Sequence, residues 1–242
     1  SSSAWPYNWA SEIDCSQYLA FQPQNKQELQ TAVDLWISNN ETALSNYGEI
    51  NSWDVSLITD MSTLFKDKTT FNDDISNWDV SNVTNMTAMF KQTNFNQDIS
   101  SWNVSSVTDM SRVFSHTNVF NQDISAWDVS NVLNMREMFY IAQGFNQDLS
   151  SWNISNVTNM NVMFFGTNSL SDENKCSIES VWSSNSVWPY ADWSNLCTSE
   201  SGSGCTDQYA ANYNENAMVD DGSCYGYPDN GDHAASYALL PG

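Results

Sequence analysis

One phrase of 24 or 25 residues is written five times through the middle of this chain. Four clear copies are FNDDISNWDVSNVTNMTAMF (Phe71 to Phe90), FNQDISSWNVSSVTDMSRVF (Phe95 to Phe114), FNQDISAWDVSNVLNMREMF (Phe120 to Phe139) and FNQDLSSWNISNVTNMNVMF (Phe145 to Phe164). A worn copy, YGEINSWDVSLITDMSTLF, runs from Tyr47 to Phe65. A fixed period of this size implies stacked units, each burying its apolar side only against its neighbours. Such an architecture offers an extended surface before it offers a catalytic pocket.

Within a copy, Trp78 and Val80 are two residues apart and share one side of a short strand. Val83, Met86, Met89 and Phe90 then follow at offsets of three, six and seven, the pattern of one helix face. Ser81 stands where an N-cap belongs, as do Ser56, Ser105, Ser130 and Ser155. The expected fold class is therefore α/β: a leucine-rich-repeat-like solenoid of about five short strand–helix coils. It carries N- and C-terminal caps and a small disulfide-bounded module. The expected division is 1–46 for the N-terminal region and capping helix, 47–168 for the coils, 169–198 for the C-terminal cap, and 199–242 for linker, module and tail.

The columns can be read directly. Trp53, Trp78, Trp102, Trp127 and Trp152 form one interior column. A buried Trp removes about 150–250 Å² from water, roughly 4–6 kcal/mol as an upper bound. Met61, Met86, Met110, Met135 and Met160 make a second column, and Phe65, Phe90, Phe114, Phe139 and Phe164 a third. Asn72, Asn96, Asn121 and Asn146 are placed to satisfy backbone groups of adjacent coils. Asp74, Asp98, Asp123 and Asp148 are placed to close the same turn as Asx caps.

Here the phrase FNQDISxWDVSNVTNMxxMF resembles the repeat of BspA-like bacterial and protist surface proteins, a branch of the leucine-rich-repeat superfamily. The resemblance covers Tyr47 to Phe164. Phe21 to Ser38 resembles the helix that caps such arrays at the N-terminus, and Ser169 to Cys197 resembles their C-terminal cap. The resemblance implies a secreted or surface-anchored protein, often adhesive, with no common catalytic residues. Further on, GCTDQYAANYNENAMVDDGSC (Gly204 to Cys224) resembles a short acidic module near the ends of secreted proteins from marine microbes.

Asp54, Asp79, Asn103, Asp128 and Asn153 lie between the inward Trp and Val or Ile, and so form an outward row of ligand-face candidates. Three uses fit it: a solvated face, a recognition strip for glycans or basic groups, through calcium or without it, and packing against another copy in a filament or layer. Hydrolysis by paired carboxylates is a poor fit, because a ladder of acids repeated every coil singles out no pair. The expected function is non-enzymatic: a secreted or cell-surface interaction or adhesion protein, or alternatively a structural subunit of an extracellular filament or surface layer. The expected partners are other surface or matrix proteins, glycans, or further copies of the chain.

Composition narrows the field. There are 29 acidic and 7 basic side chains, a net charge of −22, which repels phosphate backbones and anionic headgroups and excludes nucleic acid and bare membrane. No apolar run reaches the roughly 20 residues of a membrane span. The cysteines avoid the repeats and their spacing suggests no zinc site, which with the sequons favours an oxidising, extracellular setting. Arithmetic alone leaves pairing open, but proximity suggests Cys205 with Cys224 and Cys176 with Cys197. Cys15 is then odd, either buried in the cap or available for an intermolecular bond. Among several sequons, Asn40, Asn82 and Asn156 are glycosylation candidates. Asp220 and Asp221 are oxygen-rich calcium candidates without an EF-hand spacing, so no firm metal site is expected.

Overall fold

The computed structural model describes residues 20–197, 203–213, 215, 219–220 and 222–225. Helix α1 (Lys26–Ser38) begins where the Asn25 side-chain oxygen accepts the Glu28 N–H, while the Glu28 carboxylate accepts the Gln24 N–H. These reciprocal bonds satisfy donors that the first turn leaves free. Leu29, Ala32, Val33 and Trp36 recur at helical spacing and form its buried stripe. Asn39 ends α1 and caps α2 (Asn40–Tyr47) by accepting the Thr42 N–H. Gly48, at φ +72°, then turns the chain into the first coil.

Between Trp53 and Leu170 the chain forms neither a helix nor a strand of two residues. The expected α/β solenoid of strand–helix coils is therefore wrong. Each coil is a succession of tight turns. Trp78 donates to the Ile75 carbonyl, Val83 to Val80 and Met89 to Met86. Parallel pairing between coils shrinks to single bridges, Asp60 to Asn85, Asn85 to Asp109, Asp109 to Asn134 and Asn134 to Asn159.

The helix fails because alternate N–H groups bond between coils. Met61, Thr63, Phe65 and Asp67 donate to Asn85, Thr87, Met89 and Lys91, whereas Leu64, Lys66 and Lys68 donate back three residues. That alternation needs left-handed backbone at two places per coil. Thr63, Ala88, Arg112, Glu137 and Val162 occupy the first, and Asp67, Gln92, His116, Ile141 and Gly166 the second, all with positive φ. An α-helix holds φ near −63° throughout, so these residues cannot belong to one. The strand fails because turn residues bracket every bridge. Ser56, Ser81, Ser105, Ser130 and Ser155 are accordingly not helix N-caps; each donates its own N–H to the Asp or Asn two residues before it.

The interior columns are buried, in one cluster running from Leu29 to Trp193. Trp53 stacks on Trp78 at 6.3 Å and Trp127 on Trp152 at 6.4 Å. The Phe65, Phe90, Phe114, Phe139 and Phe164 rings follow at 5.5–5.8 Å. Four of the indoles also reach back one coil, while Trp53 donates to the Gly48 carbonyl. Trp78, Trp102, Trp127 and Trp152 donate Nε1–H to the carbonyls of Ile50, Ile75, Ile99 and Ile124. A buried indole needs such an acceptor. The asparagine column binds coils from outside: Asn72, Asn96 and Asn121 accept the N–H groups of Asn96, Asn121 and Asn146.

Helix α3 (Asp172–Trp182) closes the stack. Ser171 accepts the Asn174 N–H, and Asp172 and Glu173 lie in the first turn, where negative charge suits the helix dipole. Trp182 lies over Trp152 at 6.2 Å and prolongs the indole column. Cys176 is bonded to Cys197, at the end of a 3-10 turn spanning Ala191–Cys197. Cys205 is bonded to Cys224, beside a short parallel pair of β1 (Ser203–Gly204) and β2 (Val219–Asp220). Among the described residues no helix is long and apolar enough to cross a membrane.

Candidate functional site

The outward row is built from turns. The Oδ1 atoms of Asp54, Asp79, Asn103, Asp128 and Asn153 accept the N–H of the serine two residues on, at 3.0–3.2 Å. The Ser130 hydroxyl and N–H hold the Asp128 carboxyl below its ordinary value, and Ser56 does the same for Asp54. Asn serves as well as Asp at this corner, so the turn requires the side-chain oxygen and not the charge.

Two further rows repeat the device. Asp74, Asp98, Asp123 and Asp148 accept from Ser76, Ser100, Ser125 and Ser150. Asp60, Asn85, Asp109, Asn134 and Asn159 accept from Ser62, Thr87, Ser111, Arg136 and Asn161. Much of the acidity of the stack is thus a by-product of turn chemistry. Among the described residues no three His, Cys, Asp or Glu side chains converge to hold a metal. Asp220 lies in β2, and Asp221 is outside the described residues, as is Cys15.

Both arginines are engaged as well. Arg112 grips Glu137 through Nε and Nη2 at 2.7 and 3.2 Å, and Arg136 meets the same carboxylate at 2.6 Å. The Arg112 contact lowers the Glu137 pKa. His116 shares a hydrogen bond with the Ser115 hydroxyl and packs on Tyr140. Among the described residues no carboxylate is hydrogen-bonded to it.

Of the sequons, Asn40 is exposed at the first position of α2. Asn82 and Asn156 donate their amide Nδ2–H to the carbonyls of Ser56 and Ser130, so both side chains tie coils together.

A cleft of about 620 Å³ lies where the last coil meets the C-terminal cap. Asn153, Ser155, Val157 and Thr158 form one wall, and Val181, Asn185 and Val187 the other. Asn185 clasps the coil by donating Nδ2–H to the carbonyls of Ile154 and Val157, and its Oδ1 accepts the Val187 N–H. Among the described residues no Asp, Glu, His, Lys, Arg or Cys lines this space. Of the five row residues only Asn153 reaches it. Thr158, Val181 and Val187 were invisible as site residues from spacing alone. The signal available was that the repeats stop at Phe164, so the last coil must meet something of a different shape.

With this geometry in view, the comparisons define the class. The family model described as "Mycoplasma protein of unknown function, DUF285" matches residues 35–124 and 91–196, which together span more than half of the chain. The chain belongs to this family, which is found in BspA-like surface proteins. No curated protein matches the chain, and no solved structure does.

Proposed function

We propose that this is a secreted or cell-surface interaction protein of the BspA-like kind, one that binds partners and catalyses nothing. The observation that carries the reading is the cleft between the last coil and α3. It has the volume of a ligand site, mixes apolar and hydrogen-bonding groups, and among the described residues is lined by no titratable side chain. Its serines have no base beside them, and acid–base catalysis needs one. The acids of the outward row also suit recognition better than hydrolysis, since each stands one per coil and is engaged in its own turn. The two disulfides suit an oxidising exterior.

The partners proposed are surface or matrix proteins or glycans. The test is binding of the full chain to a panel of immobilised matrix proteins and neutral glycans. Retention of a subset is expected, weakened at least tenfold by Ser186→Arg, which crowds the cleft, or by Asp79→Lys with Asp128→Lys on the row. No retention anywhere, or retention indifferent to all these changes, overturns the reading.

A further inference from the structure

At the Val–Thr corner of the coils, each coil bonds to the one before it in a fixed register. Asn82, Ser106, Asn131 and Asn156 donate side-chain hydrogen bonds to the carbonyls of Ser56, Ser81, Ser105 and Ser130, at 2.6–2.9 Å. Two residues on, the N–H groups of Thr84, Thr108, Leu133 and Thr158 donate to the carbonyls of Thr59, Thr84, Thr108 and Leu133, at 2.8–2.9 Å.

This ladder is cut at both ends. On the last coil no described residue donates to the carbonyls of Ser155 and Thr158, and both residues line the cleft. On the first coil the Thr59 N–H has no described acceptor, and the place of the donating Asn is taken by Leu57, 49% exposed.

The caps close other sides of the end coils. At the N-terminus Phe21 accepts from the Asp54 N–H, Gln30 donates to the Leu64 carbonyl, and Lys26 bonds Ser62. At the C-terminus the Phe164 N–H bonds the Tyr190 hydroxyl, and Asn185 reaches the edge of the corner at the Ile154 and Val157 carbonyls without reaching those of Ser155 and Thr158. Among the described residues the same corner is therefore left with unanswered backbone groups at both ends, a donor at Thr59 and acceptors at Ser155 and Thr158.

We propose that the cleft receives the Leu57–Thr59 corner of a second copy, so that copies join head to tail. The Thr59 N–H then meets the Thr158 carbonyl in the register used four times inside the chain. Leu57 enters where Asn would sit in a sixth coil and lies against Val181, itself 50% exposed, and Val187. A leucine suits this place because the cap has lined it with valines. The contact joins two different patches, so it does not close on itself and grows into an open filament. The inference rests on the reading that the cleft is a binding site, and it names the occupant.

Sedimentation velocity of the full chain in a Cys15→Ser background tests it, from micromolar to millimolar protein. Copies carrying a charge of −22 repel one another, and molar salt shortens the screening length to about 3 Å. Species beyond the dimer should therefore grow with concentration and with salt. Leu57→Asp alone and Val181→Asp alone should each stay monomeric. Both positions are already exposed, and Leu57→Ser supplies a milder variant with the same expected loss. Mixed together, the first variant keeps a working cleft and the second a working corner, so the mixture should give a dimer and nothing longer. A wild-type chain that stays monomeric, a single variant that assembles like the wild type, or a mixture that remains monomeric overturns the proposal. If assembly fails in one of these ways while panel binding is still lost on Ser186→Arg, the wider binding reading stands without the proposal.

Discussion

The two ends of the stack are closed by helices that treat the indole column in opposite ways. At the N-terminus Trp36 of α1 meets Trp53 edge-on, at 5.8 Å and 87°, and donates its Nε1–H to Asp73 in the next coil at 2.9 Å. Lys68 and Lys26 add ion pairs to Asp34 and Asp60. At the C-terminus Trp182 of α3 lies nearly parallel to Trp152, at 21°, and continues the column face to face. Its Nε1–H is buried without an acceptor among the described residues. In the second to fifth coils the acceptor is the carbonyl of an Ile in the coil before. A ring carried on a helix can copy the face contact but is not held where that carbonyl lies. Both caps bring side-chain partners, Asn185 and Tyr190 at the C-terminus among them. Among the described residues the N-terminal cap alone adds ion pairs to the coils, whereas the C-terminal cap copies the ring's shape and adds a covalent staple.

Three changes test that contrast. Replacing Cys176 and Cys197 together by Ser should have the largest effect, because the bridge spans a separation of 21 residues. A loop of this size is worth about 3 kcal/mol in the chain-entropy account. Chemical denaturation should then show the fluorescence of Trp188 and Trp193 changing ahead of the rest; a single transition at the wild-type midpoint would count against the staple. Trp36→Phe keeps most of the ring but strands the bond to Asp73, and should lower stability by about 1.5 kcal/mol. An unchanged denaturation midpoint would mean that the bond contributes nothing. Smallest is the difference between two chemically identical changes at the other end. Trp152→Phe loses the bond to Ile124, while Trp182→Phe removes a donor that has no partner. The first should be the more costly by about 1 kcal/mol. Equal costs would show that the Trp182 indole finds an acceptor in solution.

What was legible in the sequence divides along a physical line. The Trp, Met and Phe columns could be read because a fixed period assigns each letter a side, whatever the backbone does in between. The backbone could not. Offsets of three, six and seven place Val83, Met86, Met89 and Phe90 inward in a helix, and equally in a ladder of turns. The deciding residues are the left-handed ones, and Thr63, Arg112, Glu137 and Val162 carry no local preference for positive φ. In the second column Gly166 favours it outright, and Asp67 and His116 adopt it more readily than most residues.

The Asx rows were partly readable. Asp74 and its equivalents stood next to obvious turns, whereas Asp60, Asn85, Asp109, Asn134 and Asn159 fell inside the expected helix and were passed over. The free interchange of Asp and Asn down that column was the available sign that an oxygen, and not a charge, is required. The cleft was not legible at all, because it belongs to a mismatch between two shapes and not to any repeated letter.

The left-handed columns have one more consequence. A stretch such as Met61 to Asp67 has no stable shape of its own: half its N–H groups find acceptors only in the following coil, and two of its residues sit in backbone that L-amino acids avoid by about 1–2 kcal/mol each. A lone coil is thus a poor nucleus, and each new one must be copied onto a neighbour that already exists. Folding of this chain becomes a templated growth that spreads from wherever two coils first meet.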